Sequence, residues 1–576
     1  MRINLRMNTI LQILTEHSDL VWDFFYLILG GSVAAYFVRK PSLRKLPITA
    51  PLRSTLAYSL QGFERVRSTA QSFTRWNADR LKLLLHECFE RPKVCVISNR
   101  EPYIHNREGK LTKLLRPASG LVTALEPIVK ACSGLWIAHG SGSADRETAD
   151  KNGKLQVPPE NPEYLLKRVW LSKEDEDGYY FGFSNEGLWP LCHIAHTKPQ
   201  FDEGDWTAYQ KVNQQFARAL VEEKLPGRPV ILVQDYHFAL LPKMVRRDRP
   251  DALISLFWHI PWPNPEIFGI CPWNKELLTG MLASDLVGFH TQFHCNNFFS
   301  SVERYLEARV DRETSSVSYQ NHVCTIKPFP IGVDWPNPHA IAESEFDKER
   351  VSVFKEYHLP LNVKLGIGVD RADYTKGIVE RFRSIERFLE QHPEWLGRFS
   401  FIQIASPCRS KIPRYLALST EIEATAEEIN ERFKHAAVPP IILKLKSHTH
   451  EQIHRLYRAS DFCLVTPLHD GMNLVAKEFV SARSDLQGVL ILSHFAGASI
   501  ELNQALLINP YSADECARAL HRAITMPPEE QAERMRLMRE NVSEKNVYAW
   551  AGNFLSEISR VGRRNGFRTK LSASLS

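Results

Sequence analysis

The stretch Thr466–Phe479, with the strand before it, constrains the fold more than any other part of the chain. Asp461 to Val465 is a short apolar run that reads as a buried parallel strand. Asn473 to Ala482 reads as a helix, with Asp470-Gly471 as the turn between them. A strand feeding a helix through a tight turn is half of a βαβ unit, so it commits the chain to a parallel sheet. In such sheets ligands bind beyond the carboxyl ends of the strands, where the next helix begins. The unpaired N–H groups of that helix end favour an anion. Asp470 then lies at the strand end and Glu478 about two turns into the helix. Such a pair can grip sugar hydroxyls at the two ends of a nucleotide sugar. A capping aspartate and a solvated glutamate account for the same residues more plainly.

The same grammar runs through both halves of the chain. Strands are predicted at Val94–Ser98, Val230–Val233, Leu253–Trp258 and Ser284–Phe289. A second series follows at Leu365–Val369, Ser400–Ile404, Ile441–Leu445, Phe462–Val465 and Val489–Ser493, with helices such as Thr420–Phe433 and His450–Ala459 between them. The breaker-rich Lys327–Asp334 reads as a connection. At 576 residues the chain is too long for one ordinary core. The expectation is α/β, with two doubly wound Rossmann-like domains facing across a cleft. They span 93–335 and 336–535, after a helical extension at 1–92 and before a helical segment with a basic tail at 536–576.

Within the extension, Leu20 to Val38 is apolar apart from Asp23 and is followed by Arg39, Lys40, Arg44 and Lys45. A run of this length just spans a bilayer core, and the trailing positive charge sets the C-terminal bulk in the cytoplasm. The expectation is therefore a membrane anchor on a cytoplasmic catalytic region. A buried or interfacial helix also suits Asp23, Gly30, Gly31 and Ser32. The net charge of +6 is spread along the chain, which suits small anionic substrates or a membrane surface and argues against nucleic acid. Ten scattered cysteines without a C-x-x-C pair point to a reducing compartment. His193/His196 and His290/His294 lack the third ligand of a zinc site, so no metal is expected there. Self-association is left open.

Polar groups at strand ends are the candidates for chemistry. Arg371 and Lys376, five apart in one loop after a strand, offer a fork and a point charge suited to a pyrophosphate, or an ordinary surface pair. Arg100 and Arg409 stand at further strand ends, where a second anionic group can bind. Asp235 and His259 are either polar caps or ligands of sugar hydroxyls. Tyr180 and Trp189 are core aromatics or, for Trp189, a platform for a sugar face. There is no G-x-S-x-G elbow, P-loop or G-x-G-x-x-G before a helix; Gly366-x-Gly368 lies inside a strand.

Read together, several stretches resemble the trehalose-6-phosphate synthases, the retaining glycosyltransferases of family 20. They are Ile97–Arg100, Tyr179-Tyr180, Asn185–Pro190, Asp235–His237, His259–Pro261, Pro265–Phe268, Gly288-Phe289, Phe329–Gly332, Asp373–Gly377, Asp470–Glu478 and Phe495–Ala498. The match runs in order from about Lys93 to Trp550. The resemblance implies a B-type glycosyltransferase fold that moves glucose from UDP-glucose to glucose 6-phosphate, with no cofactor and no metal. By the family pattern, Arg371 and Lys376 neutralise the departing diphosphate. Glu478 holds the ribose, Asp470 and His259 hold the donor sugar, and backbone N–H groups of Asn473, Leu474 and Val475 face the phosphates. Gly120 lets backbone approach the donor. Arg100, Tyr180 and Arg409 hold the acceptor phosphate, with Trp189 and Asp235 at its sugar. The chain departs from the family at Ser119, Gly134–His139, Ala372 and His469. These positions leave another phosphorylated acceptor or another nucleotide sugar as alternatives; a silent sugar-phosphate-binding regulator is a separate one, against which Arg371, Lys376, Asp470 and Glu478 argue.

Overall fold

A computed structural model of the chain describes residues 75–88, 94–116 and 120–575. The apolar segment 20–38 lies outside the described residues. Among those described, no helix is long and apolar enough to cross a membrane.

The first sheet begins with β1 (Val94–Arg100); β2 (Ile104–Glu108) and β3 (Leu111–Leu115) form a separate hairpin beside it. Its other strands are β4 (Leu135–His139), β5 (Lys154–Val157), β6 (Tyr164–Val169), β7 (Val230–Gln234), β8 (Leu253–Phe257), β9 (Leu286–Phe289), β10 (Arg309–Asp311), β11 (Ser316–Tyr319) and β12 (His322–Pro328). They lie in the order β10-β11-β12-β9-β8-β7-β1-β4-β6-β5. The centre, β12 to β6, is parallel, and the edges are antiparallel. The second sheet is parallel throughout. It contains β13 (Lys364–Arg371), β14 (Phe399–Ser406), β15 (Ile441–Lys444), β16 (Phe462–Val465), β17 (Val489–Ser493) and β18 (Leu506–Ile508), ordered β15-β14-β13-β16-β17-β18.

Central strands β7, β8, β9, β16 and β17 are buried along their whole length. That explains why their sequences are mostly apolar without alternation, with Ser255 the one polar residue in their interiors. The helices carry the 3.6-residue stripe instead. In Ile378–Gln391 the buried positions are Ile378, Arg381, Phe382, Ser384, Ile385, Phe388 and Leu389. Helix His450–Ala459 opens on a reciprocal capping box between Thr449 and Gln452.

Both sheets belong to one compact unit, Trp76–Ser576. The chain crosses between them at Phe329–Val333, whose Phe329, Ile331 and Val333 are buried. The last helix, Val547–Leu575, returns to the first sheet. Its Trp550 and Phe554 rings meet Phe257 at 5.2 and 5.5 Å, and Lys327 pairs with Glu557 at 3.1 Å.

Candidate active site

On the second lobe, three neighbouring strands are tied together by Arg381, which is fully buried. Its guanidinium donates to Asp370 at the end of β13 (2.7 Å), to Gln403 of β14 (2.6 Å) and to Thr466 just past β16 (3.0 Å). The loop after β13 is thereby fixed over the loop after β16. Gly377 (φ +60°) closes the approach, since a Cβ there would stand 2.3 Å from the Thr466 carbonyl. The result is direct contact between two predicted residues. Lys376 Nζ donates to Asp470 Oδ2 at 2.5 Å, and Asn473 Nδ2 donates to the same oxygen at 3.2 Å. Burial works to raise the Asp470 pKa, but the Lys376 ammonium and the Asn473 amide outweigh it and hold the carboxyl at about 2.

Asn473, with φ +74°, caps the helix Leu474–Ala482 by accepting from the Ala476 N–H at 3.4 Å. Leu474 and Val475 open that helix, where N–H groups have no intrahelical carbonyl to reach. Glu478 accepts from the Tyr457 hydroxyl at 3.4 Å, and burial raises its pKa. Arg371 ends β13, with its side chain 37% exposed and 3.7 Å from Asp373.

On the first lobe, Asp235 follows β7 with φ +73°. Its Oδ1 accepts from the N–H groups of Tyr236 (3.0 Å) and His259 (3.1 Å). Burial outweighs these bonds and raises its pKa to about 7. His259 follows β8; its Nε2 lies 2.9 Å from Gln234 Oε1. Burial lowers its pKa to about 3, so the ring is neutral at physiological pH and Nε2–H donates to the amide. Arg100 is exposed at the end of β1. Tyr180 stands in the wide π-helical stretch Asp177–Leu188 and stacks on His237, 5.7 Å away and 11° from parallel. Burial, aided by the charges of Arg409 and Arg100, lowers the His237 pKa to about 3. Gly120 opens the helix Gly120–Ala131.

The lobes meet at Arg409. It donates to Asp373 (2.9 Å) and Tyr415 (2.6 Å) on its own side and to the Tyr236 hydroxyl (3.3 Å) on the other. Its guanidinium lies 3.9 Å from the Trp189 ring centroid, and that of Arg371 lies 5.1 Å away. His193 also packs on Trp189 at 4.1 Å, so this ring serves the arginines and the core rather than presenting a free platform. Arg409 Nε and Trp189 Nε1 are buried without a hydrogen-bond partner among the described residues. Below them Gly471 abuts the His259 carbonyl, where a Cβ would come within 2.4 Å. His469 Nδ1 reaches the His193 carbonyl at 2.8 Å.

The structure thus gathers Arg371, Lys376, Asp470, Asn473, Leu474, Val475 and Glu478 on one side, and Asp235, His259, Tyr180 and Trp189 on the other, with Arg409 crossing between. Sequence reading gave Gln234, Tyr236 and Asp373 no role of their own and did not single out Arg381 or Tyr415. Tyr236 and Asp373 sit inside the stretches singled out above, whereas Tyr415 carries no sequence signal. His193 and His294 are committed to backbone contacts at Trp189 and Trp262.

Comparison with known proteins agrees with this arrangement. The sequence profile of Glycosyltransferase family 20 matches residues 92–560. The chain is 35% identical over 488 residues to the alpha,alpha-trehalose-phosphate synthase [UDP-forming] of Schizosaccharomyces pombe, covering 84% of this chain and 93% of that one. It is 35% identical over 477 residues to the bifunctional trehalose-6-phosphate synthase/phosphatase of Thermoproteus tenax, covering 81% of this chain but only 63% of that longer protein. Among solved structures, the alpha,alpha-trehalose-phosphate synthase (UDP-forming) of Burkholderia xenovorans in complex with glucose-6-phosphate is similar at a TM-score of 0.71 and 33% identity, over 81% of this chain and 99% of that one. With two Rossmann-like lobes, cations and carboxylates at their strand ends, and a profile match over most of its length, the chain belongs to glycosyltransferase family 20.

Proposed function

We propose that the chain transfers glucose from UDP-glucose to glucose 6-phosphate with retention, giving trehalose 6-phosphate and UDP. The observation that carries this reading is the Lys376–Asp470 contact at the amide end of helix Leu474–Ala482, with Arg371 in the same loop as Lys376. Two cations of one loop and a helix dipole suit a departing diphosphate. The donor ribose falls to Glu478 and the donor sugar to Asp470 and His259, with Gly120 admitting its backbone close to the donor. Arg100, Tyr180 and Arg409 take the acceptor phosphate and Asp235 its sugar, while Trp189 backs the acceptor site by holding the Arg409 guanidinium against its ring. The unpartnered Arg409 Nε supports that assignment.

No protein nucleophile is needed. The leaving diphosphate accepts the proton of the acceptor hydroxyl while the new bond forms on the same face, and the protein supplies orientation and charge. Lys376 then serves two partners: it is bound to Asp470 before the donor arrives and shares its ammonium with the phosphates afterwards. The decisive assay measures UDP release from UDP-glucose with a panel of sugars and sugar phosphates. Glucose 6-phosphate should be the preferred acceptor and turnover should persist in a chelating buffer, since Arg371 and Lys376 take the place of a metal. Equal rates with unphosphorylated glucose would exclude the acceptor assignment.

Asp235 gives this reading a pH signature. Its carboxyl titrates near 7, and the ionised form accepts sugar hydroxyls more strongly. KM for the acceptor should therefore fall as pH rises through about 7, and Asp235→Asn should flatten that inflection. An unchanged profile in the variant would remove Asp235 from the acceptor site.

We also propose, from sequence, that residues 20–38 tether the enzyme to a membrane. A chain lacking residues 1–74 should leave the membrane fraction and keep its turnover. Equal partitioning of both forms would end that reading.

A further inference from the structure

Away from the cleft, three side chains with metal-binding atoms converge where the helix Ile378–Gln391 ends. His392 is the C-cap of that helix, Glu394 sits in the following 3-10 turn Pro393–Trp395, and His521 projects from the helix Ala513–Thr525. One ligand atom from each lies within 4.8 Å of the other two. The two imidazoles stack 4.0 Å apart and 11° from parallel, and His392 Nδ1 is 3.3 Å from Glu394 Oε1.

The backbones that carry these groups are fixed. The His392 N–H donates to Phe388 (2.9 Å), and the Trp395 N–H donates to His392 (3.1 Å). The two helices share one apolar core through Ile385, Phe388 and Leu389 on one and Leu520, Ala523 and Ile524 on the other. The ring of His521 has no hydrogen-bond partner among the described residues. Two stacked imidazoles with nitrogens to spare and a carboxylate beside them match the ligand preference of zinc. That ion takes nitrogen and oxygen donors at about 2.0–2.2 Å and completes a tetrahedron with water. Magnesium and calcium, which favour oxygen alone, fit poorly.

We propose that His392, Glu394 and His521 form a binding site for a divalent transition metal, zinc above all, which fastens the two helices together. To bind one ion the two stacked rings must turn out of their parallel arrangement so that a nitrogen of each points at a common centre, and His392 Nδ1 or Nε2 serves as its donor. The site is separate from the cleft. Helix Ile378–Gln391 begins beside Lys376-Gly377 and has 14 residues, so its far end lies about 21 Å away at 1.5 Å per residue.

The test uses the full chain, stripped of metal by chelation and titrated with cobalt(II), whose visible absorption reports four-coordinate nitrogen and oxygen ligation. The wild type should take up one cobalt per chain with such bands, lose them to added zinc, and melt at a higher temperature with zinc than without. His521→Gln and His392→Gln should each weaken binding by at least the roughly 10–100-fold that even an outer partner of a metal ligand is worth. They should also abolish the zinc-dependent rise in melting temperature, with sugar transfer unchanged. Equal metal uptake by the wild type and both variants, or no cobalt spectrum at millimolar metal, would overturn the assignment.

Discussion

Arg371→Ala is expected to lower kcat by about 10²–10³ with little change in melting temperature. That is the usual cost of removing one preorganised group from developing negative charge. The reasons lie in how the side chain is held. It is 37% exposed, and its carboxylate neighbour Asp373, 3.7 Å away, keeps the closer partner Arg409 after the substitution. No buried charge is stranded, so the fold survives and the loss appears in the chemical step. Arg371→Lys should recover only part of the rate, because an ammonium replaces the planar fork with a point charge. Lys376→Ala behaves differently. It removes the nearest cation from Asp470, whose side chain is 14% exposed and bonded to Lys376 at 2.5 Å, and so it should cost stability as well as rate. Steady-state kinetics with UDP-glucose and glucose 6-phosphate, paired with thermal melts, separates the two cases. If Arg371→Ala turned over within about threefold of wild type, the electrostatic account of leaving-group departure would be wrong.

How much of this was legible beforehand follows from the physics of each element. Strands β7, β8, β16 and β17 are buried on both faces, so their sequences are mostly apolar runs, and their ends locate the polar residues that follow. The hairpin of β2 and β3 reads Ile-His-Asn-Arg-Glu and Leu-Thr-Lys-Leu-Leu and is largely exposed, so it carries no such run. The antiparallel edges β5, β10 and β11 are short or half-exposed for the same reason. β4 is a different omission: Leu135–His139 is buried and apolar, yet its Trp and His drew attention only as a departure from the family pattern. At the site, residues adjacent in one loop could be grouped from sequence, as with Arg371 and Lys376. Contacts between loops could not. Arg409 and Tyr236 are 173 residues apart, and Lys376 meets Asp470 across 94. Arg381 carries no signal in the sequence, yet it is the buried clasp that links β13, β14 and the end of β16.

Asp373→Ala is expected to destabilise the folded protein by about 3–5 kcal/mol, the range for stranding one partner of a buried ion pair. Neither partner touches water to any extent: the side chain of Asp373 is 0% exposed and that of Arg409 3%. Asp373 does two jobs with its two oxygens. Oδ2 accepts from Arg409 at 2.9 Å, while Oδ1 accepts from the N–H and hydroxyl of Thr375 at 3.1 and 3.0 Å, which shapes the turn that presents Lys376. Burial works to raise its pKa, but Arg409, Arg371 and Lys376 more than offset this and depress it below the ordinary 3.8. A depressed folded-state pKa gives stability that is present above the unfolded value and lost as pH falls through the folded one. The wild type should therefore lose this contribution in acid below about pH 4, whereas the variant has none to lose. Asp373→Asn keeps an acceptor for Thr375 but not the charge, so it isolates the ion pair. Combining it with Arg409→Met removes both charges, and the double variant should recover about 0.5–3 kcal/mol relative to the sum of the single changes. Denaturant unfolding of the four proteins at neutral pH measures that coupling directly. Strict additivity would mean that Asp373 and Arg409 are not held together, and the joint between the lobes would then have to rest on Tyr236 and Tyr415 instead.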